Sequence, residues 1–154
     1  MPKIDTTAAP KGSGSRYPAP FAEPCKARSW LRLGDAAGLT QFGVNLVRLP
    51  PGAWSSQRHW HSHEDEFVSI VEGEVVLVTD AGEEPMRAGD SAGFKAGVTD
   101  GHHFQNRSSS DAVLLVVGSR SDADEGAYPD IDLFVPAGHY SGPLVWHHKD
   151  GAPY

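Results

Sequence analysis

Short apolar runs with alternating polar positions, each closed by glycine, proline or a polar turn, fill the middle of the chain. Residues 27–33 (ARSWLRL) alternate, with Trp30 as an anchor. Residues 42–49 (FGVNLVRL) form a second run with Val44, Leu46 and Arg48 in phase, and Pro50, Pro51 and Gly52 stop it. Further runs lie at 57–63, 66–72, 74–79, 85–88, 91–95, 102–106 and 112–117. Between them stand Gly34 to Gly38, Gly73, the stretch DAGEE at 80–84, Gly89-Asp90, the loop 97–101 and the polar turn RSSSD. A period of two means strands, and turn signals at such short intervals mean an all-β sandwich or barrel. No segment shows capped helical periodicity.

After Gly118 the pattern weakens, with short strands predicted only at 131–135 and 144–148. The first residues are rich in Pro, Gly, Ser and Ala. Residues 1–26 are therefore expected to form a flexible or strap-like arm, 27–118 the barrel, and 119–154 a tail packed on the barrel or on a second subunit.

At 154 residues the chain suits one domain with a single core. The formal charge of −7 and the lack of a basic block argue against nucleic-acid binding. No run is long enough for a membrane span, and the N-terminus lacks the apolar stretch of a secretory signal. Cys25 is the one cysteine, so an internal disulfide is excluded. A cytoplasmic protein is expected.

The chemistry concentrates in PGAWSSQRHWHSHEDEFVSIVEG, residues 51–73. His59, His61 and His63 alternate, so on a strand they share a face. Glu64, Asp65 and Glu66 follow directly. Imidazole and carboxylate together are the ingredients of a divalent metal site.

These residues resemble the cupin superfamily. Gly52, then His59-Trp60-His61, then Glu66 after four residues, then Gly73 matches its first motif. Gly89, Lys95-Ala96-Gly97, His102 and Asn106 match its second. The step from Gly52 to His59 is one residue longer than usual, Lys95 stands where proline is usual, and four residues rather than two separate Gly97 from His102. The resemblance implies a double-stranded β-helix, or jelly-roll barrel, and a metal held by His59, His61, Glu66 and His102. Three imidazoles and one carboxylate suit a divalent Fe, Mn, Ni, Zn or Co ion and leave positions open for water or substrate. His63 continues the row and is an alternative ligand to His59 or His61. His103 is expected to face away from His102, at the surface or an interface.

Arg58 reads as an anion binder or as the salt-bridge partner of the acidic cluster. Trp54 is expected to shade the mouth of the site, and Trp60 and Trp146 to anchor packing. Glu64 and Asp65 read as a solvated turn. Asp100 is a proton-transfer candidate or a plain turn residue. Cys25 has no base to activate it. His139, His147 and His148 read as tail histidines, with reach into a neighbouring subunit's pocket as the alternative.

The resemblance supports a mononuclear metal-dependent enzyme acting on a small organic molecule, either a dioxygenase or an isomerase or lyase. The alternative is a non-catalytic cupin that binds or senses a small molecule. A homodimer is expected, because cupin barrels pair through their sheets and the run at 113–117 is apolar.

Overall fold

The computed structural model describes residues 3–154; the first two residues of the predicted arm lie outside the described residues. The arm contains β1 (Lys11–Ser13), and β2 (Ser29–Arg32) precedes a one-turn helix, α1 (Leu33–Ala36). The barrel strands are β3 (Phe42–Leu49), β4 (Trp60–His61), β5 (Glu66–Glu72), β6 (Glu74–Thr79), β7 (Gly82–Arg87), β8 (Ser91–Phe94), β9 (His103–Gln105) and β10 (Ala112–Ser119). Two short strands, β11 (Gly126–Ala127) and β12 (Phe134–Val135), belong to the tail. Almost no helix is present among the described residues, and the fold is all-β.

One sheet has six strands in the order β1-β2-β3-β10-β5-β8. All its pairs are antiparallel. Against it stands β7-β6-β9. Bridges from Trp54 to Gln105 and from His59 to His102 extend that sheet through residues 54–59 to β4, which pairs with β11 and then β12. Leu49, Val68, Ile70 and Leu114 from the large sheet meet Val75, Leu77, Met86 and Phe104 from the opposite one, and these form the main core. The inward row of β3 therefore contains Val47 and Leu49, with Gly43 and Asn45 in phase. Val44, Leu46 and Arg48 share the other face, as expected, but it is the outer one.

A second, smaller core ties both ends of the chain together. Tyr17 and Phe21 from the arm pack on Tyr128, Ile131, Leu133, Val135, Leu144 and Trp146 from the tail. The arm is also fixed by polar bonds: the Gln57 N–H donates to Tyr17 Oη at 3.2 Å, and Gln57 Nε2 to the Phe21 carbonyl at 2.7 Å.

Several predicted boundaries shift. The run at 57–63 contracts to β4 plus the bridge at His59, because residues 55–58 are held by the arm and by β9 rather than by a continuous ladder. The turn at 80–84 shrinks to Asp80-Ala81: Thr79 pairs with Gly82, so Glu83 and Glu84 are strand residues. The Gly34 to Gly38 turn is a helical turn. Residues 144–148 hold only isolated bridges, from His147 to Phe134 and to Pro153. No helix among the described residues is long and apolar enough to cross a membrane.

Candidate metal centre

Strand register carries the candidate side chains to one place. His59 and His61 lie two residues apart, and their rings stand 4.9 Å apart. The His59–His102 bridge sets those two rings 5.0 Å apart. Glu66 opens β5, in phase with the buried Val68 and Ile70, so it too points inward. Its Oε2 lies 3.8 Å from His61 Nε2 and 3.5 Å from His102 Nε2. Donor atoms of His59, His61 and Glu66 all lie within 4.8 Å of one another.

Each imidazole is presented differently. His59 Nδ1–H donates to the Gln57 carbonyl at 2.8 Å, which leaves Nε2 as the free lone pair. His61 Nδ1–H donates to Asp124 Oδ2 at 2.7 Å, which turns Nε2 toward Glu66. His102 lies flat against Phe94, with ring centres 3.5 Å apart, and is 2 % exposed. Among the described residues, neither of its ring nitrogens has a hydrogen-bond partner. An orphaned buried imidazole is costly unless something else satisfies it, and a cation does so. Tyr128 stacks on His59 at 5.6 Å and closes the back of the cluster.

Electrostatics point the same way. Burial, and then the neighbouring His61 and His102, push the His59 pKa down to about 3, so at neutral pH it is an uncharged donor. Burial pushes Glu66 up, but His102, whose Nε2 lies 3.5 Å away, and the His59 and His61 imidazoles outweigh it and hold the carboxyl at about 2. For His61, burial is outweighed by the Asp124 hydrogen bond and by the Glu66, Asp124 and Glu64 charges, and its pKa rises. An ionised carboxylate beside the uncharged His59 belongs to the donor set a divalent transition ion takes, and such an ion displaces a proton from His61 when it binds.

A second group, His61, Glu64 and Asp124, also has donor atoms within 4.8 Å. It differs in that its oxygens are already bonded. Glu64 Oε1 accepts from Ser121 N at 2.7 Å and Oε2 from Tyr140 Oη at 3.2 Å. Asp124 Oδ1 accepts from His63 N at 2.8 Å while Oδ2 holds His61. This group therefore orients His61, and the orphaned ring nitrogens belong to His102, beside the first group.

Other expectations need correction. Glu64 is not in a solvated turn; it is 7 % exposed and bonded as above. Asp65 does cap a turn, accepting from Ala96 N at 2.8 Å. His103 faces away from the cluster yet lies neither at the surface nor free. It is buried at 4 % exposure against Trp54, with Nδ1 on the Ser56 carbonyl at 2.9 Å. Trp54 accordingly packs behind β9 rather than shading a mouth. Arg58 forms salt bridges, but with Asp130 at 2.7 Å and with Asp80, not with residues 64–66. Asp100 accepts from Asp80 N at 2.7 Å, which is a turn role. His63 is exposed and bonded to Ser62 Oγ. His148 pairs with Asp132 at 2.7 Å. Cys25 is buried, and burial raises its thiol to about 11, away from nucleophilic use. The residue that sequence reading missed is Asp124. It sits in the acid-rich stretch SDADEG, where nothing local distinguishes it from its neighbours.

Two cavities adjoin the cluster. One of about 370 Å³ is lined by His61, Glu64, Phe94, Lys95 and His102. The other, of about 540 Å³, has Glu64 and Glu66 in its wall and reaches toward the arm. Its floor beside Glu66 is bare, since Gly118 is the register partner of Glu66 and Gly43 the partner of Gly118.

A double-stranded jelly roll with inward histidines and glutamate at these positions defines a cupin. The family model described as "Cupin domain" matches residues 45–118. A sugar phosphate isomerase from a cupin superfamily, from Silicibacter pomeroyi DSS-3, is 49% identical. The match covers 99% of this chain and 96% of that one, with a TM-score of 0.91. A protein from Acidithiobacillus ferrooxidans, provisionally named a sugar phosphate isomerase, is 32% identical over 73% of this chain and 72% of that one, at a TM-score of 0.69. A polyketide cyclase from Streptomyces resistomycificus shares the fold at 20% identity and a TM-score of 0.62, covering 77% of this chain and 79% of that one. No curated protein matches the chain. The chain belongs to the cupin superfamily.

Proposed function

We propose that the protein is a divalent-metal-dependent isomerase of sugar phosphates, its metal held by His59, His61, Glu66 and His102. Of the two reaction classes expected from the sequence, the isomerase branch is the one supported. The supporting observation is the 49% identity with a sugar phosphate isomerase across 99% of this chain. A bound cation supplies a Lewis acid that polarises the carbonyl and neighbouring hydroxyl oxygens of a sugar. The chain's own residues supply the setting. Asp124 and the Gln57 carbonyl fix which nitrogen of His61 and His59 faces inward. Phe94 and Tyr128 lie against two of the imidazoles and keep bulk water from them. The bare floor at Gly43 and Gly118 gives a polar ligand room beside Glu66.

The test is conversion of aldose and ketose phosphates followed by NMR, with the protein loaded in turn with Fe, Mn, Co, Ni and Zn. Interconversion that His59→Ala abolishes is expected. No turnover of any pentose or hexose phosphate with any of these ions would remove the reading.

A homodimer is part of the same reading. The outer face of the six-stranded sheet leaves Phe42, Phe67 and Val71 exposed, beside the half-buried Leu115 and Val117. Light scattering at micromolar concentration checks it, and a monomer there would count against it.

A further inference from the structure

The larger cavity has an acidic inner end and a basic outer end. Glu66 and Glu64 belong to the inner end, next to the imidazoles. Arg16, Arg32 and Arg120 line the same cavity, and Lys11, on the edge strand β1, stands at its rim, opposite Leu31 of the outer row. The whole chain has thirteen lysines and arginines and a net charge of −7, so four cations around one cavity are a concentration. Only Asp35 offsets them there. It takes Arg120 Nη2 at 2.7 Å and Arg32 Nε at 3.5 Å, so one carboxylate is shared between two guanidinium groups. Among the described residues, Lys11 and Arg16 have no ion pair and no side-chain hydrogen bond.

The sheet sets the separation. From β5, which carries Glu66, the order runs through β10 and β3 to β2, which carries Arg32. Three strand spacings make roughly 14 Å between the two backbones. The inward positions between them that flank Glu66 are Gly118 and Gly43. The missing side chain at Gly43 matters: a Cβ there would stand 3.5 Å from Arg120 Nη2. The guanidinium of Arg120 therefore lies over a glycine, inside the cavity rather than out in solvent. A cavity of about 540 Å³ is within the usual range for a small-molecule site.

We propose that Lys11, Arg16, Arg32 and Arg120 form the subsite for the phosphate group of the substrate, in the cavity whose other end holds Glu66. This subsite deepens the sugar phosphate reading and rests on it for the identity of the ligand. Guanidinium and ammonium groups pair with phosphate oxygens through charge-assisted hydrogen bonds. A phosphate held at the basic end would direct the carbon chain over the glycine floor toward Glu66. Part of the subsite comes from the arm, which would make the arm a part of the binding machinery rather than packing alone.

The experiment uses inorganic phosphate as probe, with metal-loaded full-length protein and calorimetric titration. Lys11→Gln with Arg16→Gln removes two charges that hold nothing else in place, so folding is not at issue. We expect at least tenfold weaker phosphate binding and unchanged metal content. Lys26→Gln with Arg87→Gln, an equal loss of charge remote from the cavity, should leave phosphate binding within twofold of the parent protein. Equal binding in the Lys11 and Arg16 variant, or no phosphate binding by the parent protein, overturns the subsite. Turnover reports separately: phosphate binding that depends on Lys11 and Arg16 without isomerisation of any sugar phosphate would sink the isomerase reading and leave the subsite standing.

Discussion

Asp124 Oδ2 accepts a hydrogen bond from His61 Nδ1 at 2.7 Å, and the aspartate is fully buried. One contact thus joins the tail, well outside the barrel strands, to the first motif. It fixes the tautomer of His61 and raises the basicity of the nitrogen that faces Glu66. Asp124→Asn keeps the volume and can still accept from His63 N, but it weakens the pull on Nδ1–H. Metal affinity should fall by about 10- to 100-fold. Competition with a chromophoric chelator measures this, and unchanged affinity would show that the pair is only packing.

Removing a proposed ligand should act more strongly. Glu66 supplies the only carboxylate among the four inward donors, and it balances three imidazoles. Glu66→Ala should leave substoichiometric metal in protein purified without added metal, while the circular dichroism of the barrel persists. Val68 and Ile70, not Glu66, carry the burial of β5. Full metal occupancy in this variant would exclude the assignment.

The legible part of the molecule is the part written in short-range spacing. Period-two alternation put His59 and His61 on one face, and the ladder of β5 put Glu66 in phase with Val68. His102 could be joined to them only through the cupin motif, since its bridge to His59 spans a long stretch of chain. Glu64 reads with Asp65 as a solvated turn, whereas it is buried through Ser121 and Tyr140, which lie far along the chain. Asp124 and the basic cavity wall were invisible for the same reason. Each depends on where the arm and tail return to the barrel, and no periodicity records that.

Asn106 gives a test of the barrel itself. Its amide Nδ2 donates to the Leu49 carbonyl at 2.7 Å and the Ser110 carbonyl at 2.8 Å, and its Oδ1 accepts from Ser108 N at 2.9 Å. The side chain is 1 % exposed. Asn106→Ala removes the donor to the buried Leu49 carbonyl and the acceptor for Ser108 N, and should cost about 3 kcal/mol. Asn106→Asp should fare no better, because a carboxylate cannot donate to either carbonyl. Urea unfolding of the three proteins measures both, and a clearly milder Asp variant would mean the carbonyls are satisfied another way.

Acid should loosen the tail before the barrel. Arg58, with a side chain only 12% exposed, holds Asp130 at 2.7 Å, and that bond depresses the Asp130 pKa below its ordinary value of 3.8. A depressed carboxyl contributes stability that is complete above the unfolded-state pKa and is lost as pH falls through the lower folded value. Asp130 is more than half exposed, so solvent screening limits the pair to about 1 kcal/mol or less. Hydrogen exchange around Asp130 should therefore quicken below about pH 4, while exchange in β5 and β10 holds. Asp130→Asn should bring the faster exchange up to neutral pH and flatten its acid dependence. Equal acid dependence in the two proteins would place the sensitive group elsewhere.

Gly73 separates β5 from β6 at a φ of +76°, where a side chain is strained. A Cβ there would also stand 2.6 Å from the Asp111 carbonyl oxygen, closer than contact allows. Backbone strain of this kind costs about 1–3 kcal/mol, and the clash adds to it because the obstacle is backbone. Gly73→Ala should therefore lower the urea midpoint more than Gly82→Ala, where φ is +121° but nothing lies within 4 Å. The comparison separates strain from crowding, since both glycines have positive φ. Gly73 lies far along β5 from Glu66, so metal content per folded chain should stay at the parent level. Loss of metal in proportion to loss of fold would mean instead that the β5–β6 turn sets the position of the whole strand.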